Sequence, residues 1–150
     1  GRHDTYPKRR GMTRVKELMQ AGVNVAFGHD CVMDPWYPLG SHDMLEVAHM
    51  GLHVAQMTGT EEMQRLFDAV TVNGAKALGL EDYGLEPGCF ADLVVLQAGD
   101  PVEALRLKPA RLFVIRRGKV IAETAAVESR LNLGGQCLSV DFRHDGGSAA

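Results

Sequence analysis

Cysteine is scarce in this sequence, neither sign of charge dominates it, and it has no long apolar run. Its three cysteines, at positions 31, 89 and 137, are odd in number and form neither a CxxC pair nor a zinc-finger spacing, so they do not make a disulfide framework. A reducing cytoplasm is therefore the expected compartment. With 16 Lys+Arg against 19 Asp+Glu the net charge is -3, which gives no electrostatic reason to expect nucleic acid or an anionic membrane as a partner. The one basic group, Arg2, Lys8, Arg9, Arg10, Arg14 and Lys16, reads as a solvated loop and helix face. No window approaches the ~20 consecutive apolar residues of a membrane span, and no signal-like apolar region precedes a cleavage site. A Gly-rich phosphate loop is also missing, because the glycines are scattered at turns and helix ends.

What is present reads as α/β. Met12 to Ala21 carries Val15, Leu18 and Met19 on one helical stripe and stops at Gly22. Val23 to Phe27 then reads as a short buried strand, β-branched at two positions. Ser41 to Met57 is expected to be helical with Ser41 as N-cap, and its apolar residues cover most of its circumference. Two more helices are expected, Glu61 to about Val70 and Val72 to Leu78, the second capped by Thr71 and ended by Gly79. The period then changes, and Asp92–Leu96, Leu112–Arg116 and Lys119–Ala122 read as strands, the last two joined at hairpin length by Arg117-Gly118. The Gly-rich stretch from Asn132 to Ala150 is expected to be a mobile tail. A complete (β/α)8 barrel needs ~250 residues. This chain of 150 begins at Gly1 within an apparent loop, so it is expected to be a fragment.

The chemistry concentrates in Phe27-Gly28-His29-Asp30-Cys31, where an apolar run ends in an imidazole and a carboxylate, and in the loop that follows through Asp34-Pro35-Trp36-Tyr37-Pro38-Leu39-Gly40. α/β enzymes place reactive groups at the carboxyl edge of a strand in this way. A divalent metal that activates water needs hard or borderline ligands, and a carboxylate beside the water can also accept its proton, which makes Asp30 the candidate ligand and base. On spacing alone, an Asp that merely caps a turn is the commoner explanation. His29 alternates to the opposite side of the strand and reads as a structural histidine hydrogen-bonded behind the site. His49 and His53 have metal-ligand spacing, but His49-Met50-Gly51-Leu52-His53 lacks the Glu of H-E-x-x-H and lies in an apolar helix, so packing or subunit contact is expected. A nucleophilic role for Cys31 is disfavoured by the neighbouring carboxylate, which opposes a thiolate.

With Arg2-His3-Asp4-Thr5-Tyr6-Pro7-Lys8-Arg9-Arg10-Gly11 upstream of these motifs, residues 1 to about 123 resemble the carboxyl-terminal part of the bacterial cytosine deaminases of the amidohydrolase superfamily. The H-x-E and P-C-x-x-C signature of the other zinc deaminase class is missing. The resemblance implies that residues 1–80 are the end of a metal-dependent TIM barrel, 81–131 part of a composite β-sandwich, and 132–150 a flexible tail. It makes Asp30 the ligand of one divalent ion, Fe2+ or Zn2+, from the eighth barrel strand, and the acceptor of the attacking water's proton. The remaining ligands, an H-x-H pair and a middle-strand His, and the proton-shuttling Glu and His would all lie outside this chain, so the fragment alone is expected to be inactive. Trp36 is implied to line the substrate pocket. Cys31 stands where these enzymes usually carry a second Asp near the edge of the bound base, which leaves cytosine and 5-methylcytosine both open as substrates. The implied reaction is hydrolytic removal of the exocyclic amine of a small-molecule pyrimidine base as ammonia, with a homo-oligomeric parent enzyme left open. Another amidohydrolase substrate, such as a cyclic amide, a different amino-base or a triazine, is the alternative within the class, and Arg2–Pro7 and Asp34–Pro38 count against it. A non-catalytic assembly or binding module is the alternative outside it.

Overall fold

The helix that follows the candidate loop shows how local chemistry sets this fold. In the computed structural model, which describes residues 11–143, helix α2 spans Met44–Val54 and begins at Asp43, whose side chain accepts the Leu45 N–H at 2.8 Å. Ser41, the expected cap, instead bonds the Glu46 carboxylate and accepts the Asp43 N–H. Asp43 is nearer the first free amides, and its charge suits the positive end of the helix. Residues 2–10, which carry part of the resemblance, lie outside the described residues.

Helices α1 (Val15–Gln20), α3 (Thr60–Ala69) and α4 (Val72–Ala77) fall where the apolar period puts them. Glu62 accepts the Gly59 N–H at the start of α3 and also takes Lys16 of α1 at 2.8 Å. Thr71 precedes α4 but does not cap it with its side chain, because its hydroxyl donates to the Phe67 carbonyl. A fifth helix, α5 (Pro101–Leu107), was not expected. Asp100 caps it by accepting the Glu103 N–H at 2.9 Å, and Pro101 occupies the first turn, where no amide donor is needed. Ala104 and Leu105 of α5 complete a core with Val15, Leu45, Ala48, Leu52, Met57 and Leu66, so α5 locks α2 and α3 together. The His49 ring contributes by bonding the Leu105 carbonyl at 3.0 Å.

The expected strands appear as β1 (Leu93–Leu96), β2 (Arg111–Arg116) and β3 (Lys119–Glu123), an antiparallel sheet of order β1-β2-β3 with Leu93 opposite Ile115 and Phe113 opposite Glu123. Arg117 and Gly118, both at positive φ, close the β2–β3 hairpin, as a two-residue turn requires. Two expectations are corrected. Val23–Phe27 pairs with no strand among the described residues and is only partly buried, although burial alternates from Asn24 to Asp30 as in an extended segment. A parallel strand needs neighbouring strands, and none is supplied here. The stretch expected as a tail from Asn132 instead carries half of a hairpin, β4 (Ser129–Leu133) with β5 (Gln136–Val140), turned by Gly134-Gly135 at φ 59° and 78°. Gln97 anchors the segment before it, exchanging hydrogen bonds with the Val127 backbone at 2.8 and 2.9 Å.

Candidate active site

The extended segment is held at both ends by α3 and α4. The Phe27 N–H donates to the Ala69 carbonyl at 2.9 Å, Asn73 donates to the Val25 carbonyl at 2.9 Å, and Asn24 donates to the Asn73 carbonyl at 3.1 Å. The Phe27 ring lies on α2 at Gly51, where an added Cβ would stand 2.5 Å from it. Position 51 therefore admits only glycine without moving the ring or the helix.

Asp30 follows directly, exposed and with φ at 63°, in the left-handed region that non-glycine residues seldom adopt. His29 points to the opposite, half-buried side, and its Nδ1 is 3.1 Å from the Cys31 carbonyl oxygen. The loop returns on itself at buried Gly40, where a Cβ would meet that same oxygen at 2.5 Å, the Val32 Cα at 2.8 Å and the His29 Cε1 at 2.9 Å. A groove of ≈ 470 Å³ runs beside this closure, between the extended segment and α2, lined by Phe27, His29, Tyr37, Val47 and Met50 among others.

Asp34 organises the outer part of the loop. Its Oδ1 accepts the N–H of Trp36 at 2.8 Å and of Tyr37 at 2.9 Å, an Asx turn that follows from Asp-Pro-Trp. The Tyr37 N–H, against the opposing effect of burial and together with the Cys31 thiol and the Trp36 N–H, holds this carboxyl below the usual carboxylate range. The Cys31 thiol is pushed up, first by its hydrogen bond to Asp34, then by burial and the negative charge of Asp30. Each of these influences disfavours a thiolate at Cys31. Trp36 is 80% exposed and does not fold back onto the described residues. Asp34 and Gly40 are the loop's organising residues that sequence reasoning did not single out; the Asp-Pro turn signal pointed to the first.

Asp30, Cys31 and Trp36 thus share one loop. His49 and His53 stand edge to face with ring centroids 4.9 Å apart, away from it in sequence, and no group of three or more His, Cys, Asp or Glu among the described residues is placed to hold a metal ion. Among the described residues of this loop, Asp30 presents an exposed carboxylate. No helix among the described residues is long and apolar enough to cross a membrane.

Residues 1–127 match the amidohydrolase family, and the chain belongs to it. The fold is similar to that of 5-methylcytosine deaminase from Klebsiella pneumoniae liganded with 5-fluorocytosine, with TM-score 0.80 and 47% identity over 87% of this chain and 32% of that one. The same enzyme liganded with phosphonocytosine matches with TM-score 0.78 and 48% identity, over 85% of this chain and 31% of that one. The N-isopropylammelide isopropyl amidohydrolase of Pseudomonas sp. (strain ADP) is 32% identical over 114 residues, 75% of this chain and 28% of that protein. The chain therefore spans about a third or less of the length of these relatives.

Proposed function

We propose that this chain is the carboxyl-terminal part of a metal-dependent deaminase that hydrolyses the exocyclic amine of cytosine, 5-methylcytosine or both, releasing ammonia. The observation that carries this reading is Asp30, presented alone and exposed at the end of an extended segment, within a stretch 47% identical to a 5-methylcytosine deaminase that binds a cytosine analogue. In this reading residues 1–80 close a TIM barrel and 81–131 contribute to a β-sandwich with strands from elsewhere in the enzyme.

Asp30 is the residue of this chain that would hold a divalent ion. A carboxylate suits both iron and zinc, and its exposure leaves it open to ligands from outside the chain. Such an ion supplies Lewis acidity that makes water a nucleophile at neutral pH. Asp30 accepts the proton of the attacking water as the new C–O bond forms at the amino-bearing ring carbon. The C–N bond then breaks, and the nitrogen leaves as ammonia after taking up the proton that the water gave up. Trp36 offers an indole face to the flat base, and Cys31 meets the ring edge with a small thiol. The thiols of Cys31, Cys89 and Cys137 are all free, which suits a reducing cytoplasm.

The test is ammonia release by the whole enzyme from cytosine and from 5-methylcytosine, with Asp30→Ala and Asp30→Asn in parallel. Turnover of at least one base is expected, with loss of several orders of magnitude in both variants while the fold persists. Near-parental rates with normal metal content in either variant would overturn the role of Asp30. Failure to turn over either base, with turnover of a triazine, would overturn the substrate class.

A further inference from the structure

We propose that His29 is a positioning residue: its hydrogen bond to the Cys31 carbonyl fixes the left-handed backbone on which Asp30 stands, and the bare Cα of Gly40 is what allows the loop to close over that bond. The inference rests on the reading of Asp30 as a metal ligand and deepens it.

Asp30 at φ 63° occupies a conformation that is uncommon for L-residues, although Asp adopts it more readily than most, and its surroundings hold it there. The imidazole of the residue before it reaches the carbonyl of the residue after it, at 3.1 Å, so a ring of atoms closes around the Asp30 backbone. A carbonyl oxygen only accepts, so Nδ1 must carry the proton. Gly40 seals the arrangement from the other end of the loop, since any Cβ there would collide with the same oxygen and with the imidazole carbon next to Nδ1. Without the bond, Asp30 is released toward commoner backbone conformations, and its carboxylate swings away from where a ligand must sit.

Asparagine and phenylalanine separate bond from bulk. The amide nitrogen of Asn is as many bonds from Cα as Nδ1 of His and can donate to the same oxygen, whereas Phe fills the ring's space and cannot donate. In the whole enzyme, His29→Phe is expected to lower metal content after purification and to cut kcat by roughly 10–100-fold, as loss of a group that orients a ligand does. KM should stay within about threefold and the thermal midpoint within about 4 °C. His29→Asn is expected to recover most of the metal and most of kcat. Full metal and rate in His29→Phe, or equal impairment in both variants, would overturn the proposal. Should both variants fail to fold, two measurements decide. Gly40→Ala leaves the imidazole intact but displaces the Cys31 carbonyl, and is expected to lose metal; full metal and rate there would overturn the proposal. In the unsubstituted enzyme, nitrogen-15 spectra should find the His29 ring protonated at Nδ1, and a ring protonated only at Nε2 would overturn it. Normal metal content in Asp30→Ala would instead overturn the reading beneath it.

Discussion

The carboxylate of Asp34 receives the thiol of Cys31 while its Oδ1 holds the backbone N–H of Trp36 at 2.8 Å and of Tyr37 at 2.9 Å. One side chain therefore links the residue proposed for the ring edge to the residue proposed for the ring face. Asp34→Ala removes every one of these bonds and frees the loop tip. Asp34→Asn keeps a carbonyl oxygen able to accept them. In the whole enzyme, Asp34→Ala should raise KM for the base about fivefold to tenfold, the equivalent of roughly 1 kcal/mol of lost ordering, and Asp34→Asn should stay within about threefold. Steady-state kinetics of both variants checks this, and an unchanged KM in Asp34→Ala would show that the turn does not place Trp36.

Asp43 joins two parts of the chain, capping α2 through Leu45 and pairing with Arg111 at the start of β2. Burial alone would raise its carboxyl; the Arg111 guanidinium and the Leu45 N–H outweigh that, and the group lies below its ordinary value. A carboxyl lowered in the folded state stabilises the protein above its unfolded pKa, near 4, and that stability is lost as pH falls through the lower folded value. Asp43→Ala should therefore cost about 1–2 kcal/mol at pH 7, allowing for a partly screened pair. Urea unfolding at pH 7 and at pH 3 tests the sign, since the gap between parent and variant should narrow in acid. A gap independent of pH would assign the loss to packing.

The helical half of the fold was legible because apolar periodicity and glycine stops act locally, as at Gly22 and Gly79. The β2–β3 hairpin was legible for the same reason, since Arg117-Gly118 carries its own turn geometry. Helix α5 was missed although Asp100-Pro101 is a start signal, because seven residues between two strands give too little period to read. The β4–β5 hairpin is hidden because Gly134-Gly135 reads as tail composition, whereas the alternation around it, with Leu131 opposite Leu138, marks it as a turn. At the candidate site, neighbours in sequence were readable and closure was not. Asp30, Cys31 and Trp36 fall within seven consecutive positions, whereas the meeting of Gly40 with Cys31 depends on positive φ at Asp30 and Met33, which no composition rule predicts.

Gly51 gives a test of the packing that carries the site. A Cβ there would stand 2.5 Å from the Phe27 ring, three residues before Asp30. Overpacking of this kind costs about 1–3 kcal/mol, so Gly51→Ala should lower the denaturation midpoint measurably. Gly51→Ala with Phe27→Leu should regain part of the loss, because the smaller side chain leaves room. An unaltered midpoint in the single variant would show that the ring moves aside freely.

The residues 1–150 on their own should neither bind iron or zinc tightly nor deaminate cytosine. The described residues bring together no group of three metal ligands, and one carboxylate cannot replace a site of four or five. Ammonia release and metal content of the purified chain, with iron or zinc added, check the expectation. Clear turnover would show that the chain carries a complete site.

Cys31 is expected to set the choice between cytosine and its 5-methyl derivative. The related cytosine deaminases usually carry an Asp at this point, and a thiol has less bulk and a far smaller desolvation cost beside an apolar group. Here the hydrogen bond to Asp34, burial and the charge of Asp30 all disfavour a charged thiol beside a methyl on carbon 5 of the ring. Burying that methyl without strain contributes on the order of 1 kcal/mol, enough for a several-fold preference. The whole enzyme should therefore accept 5-methylcytosine, giving thymine, at a rate comparable to or better than cytosine. Cys31→Asp adds bulk and a carboxylate at the ring edge, and it also places a third acidic group between Asp30 and Asp34, so discrimination against the methylated base should return. The ratio of kcat/KM for the two bases, measured before and after the substitution, decides the matter. An unchanged ratio would mean that Cys31 does not shape the pocket.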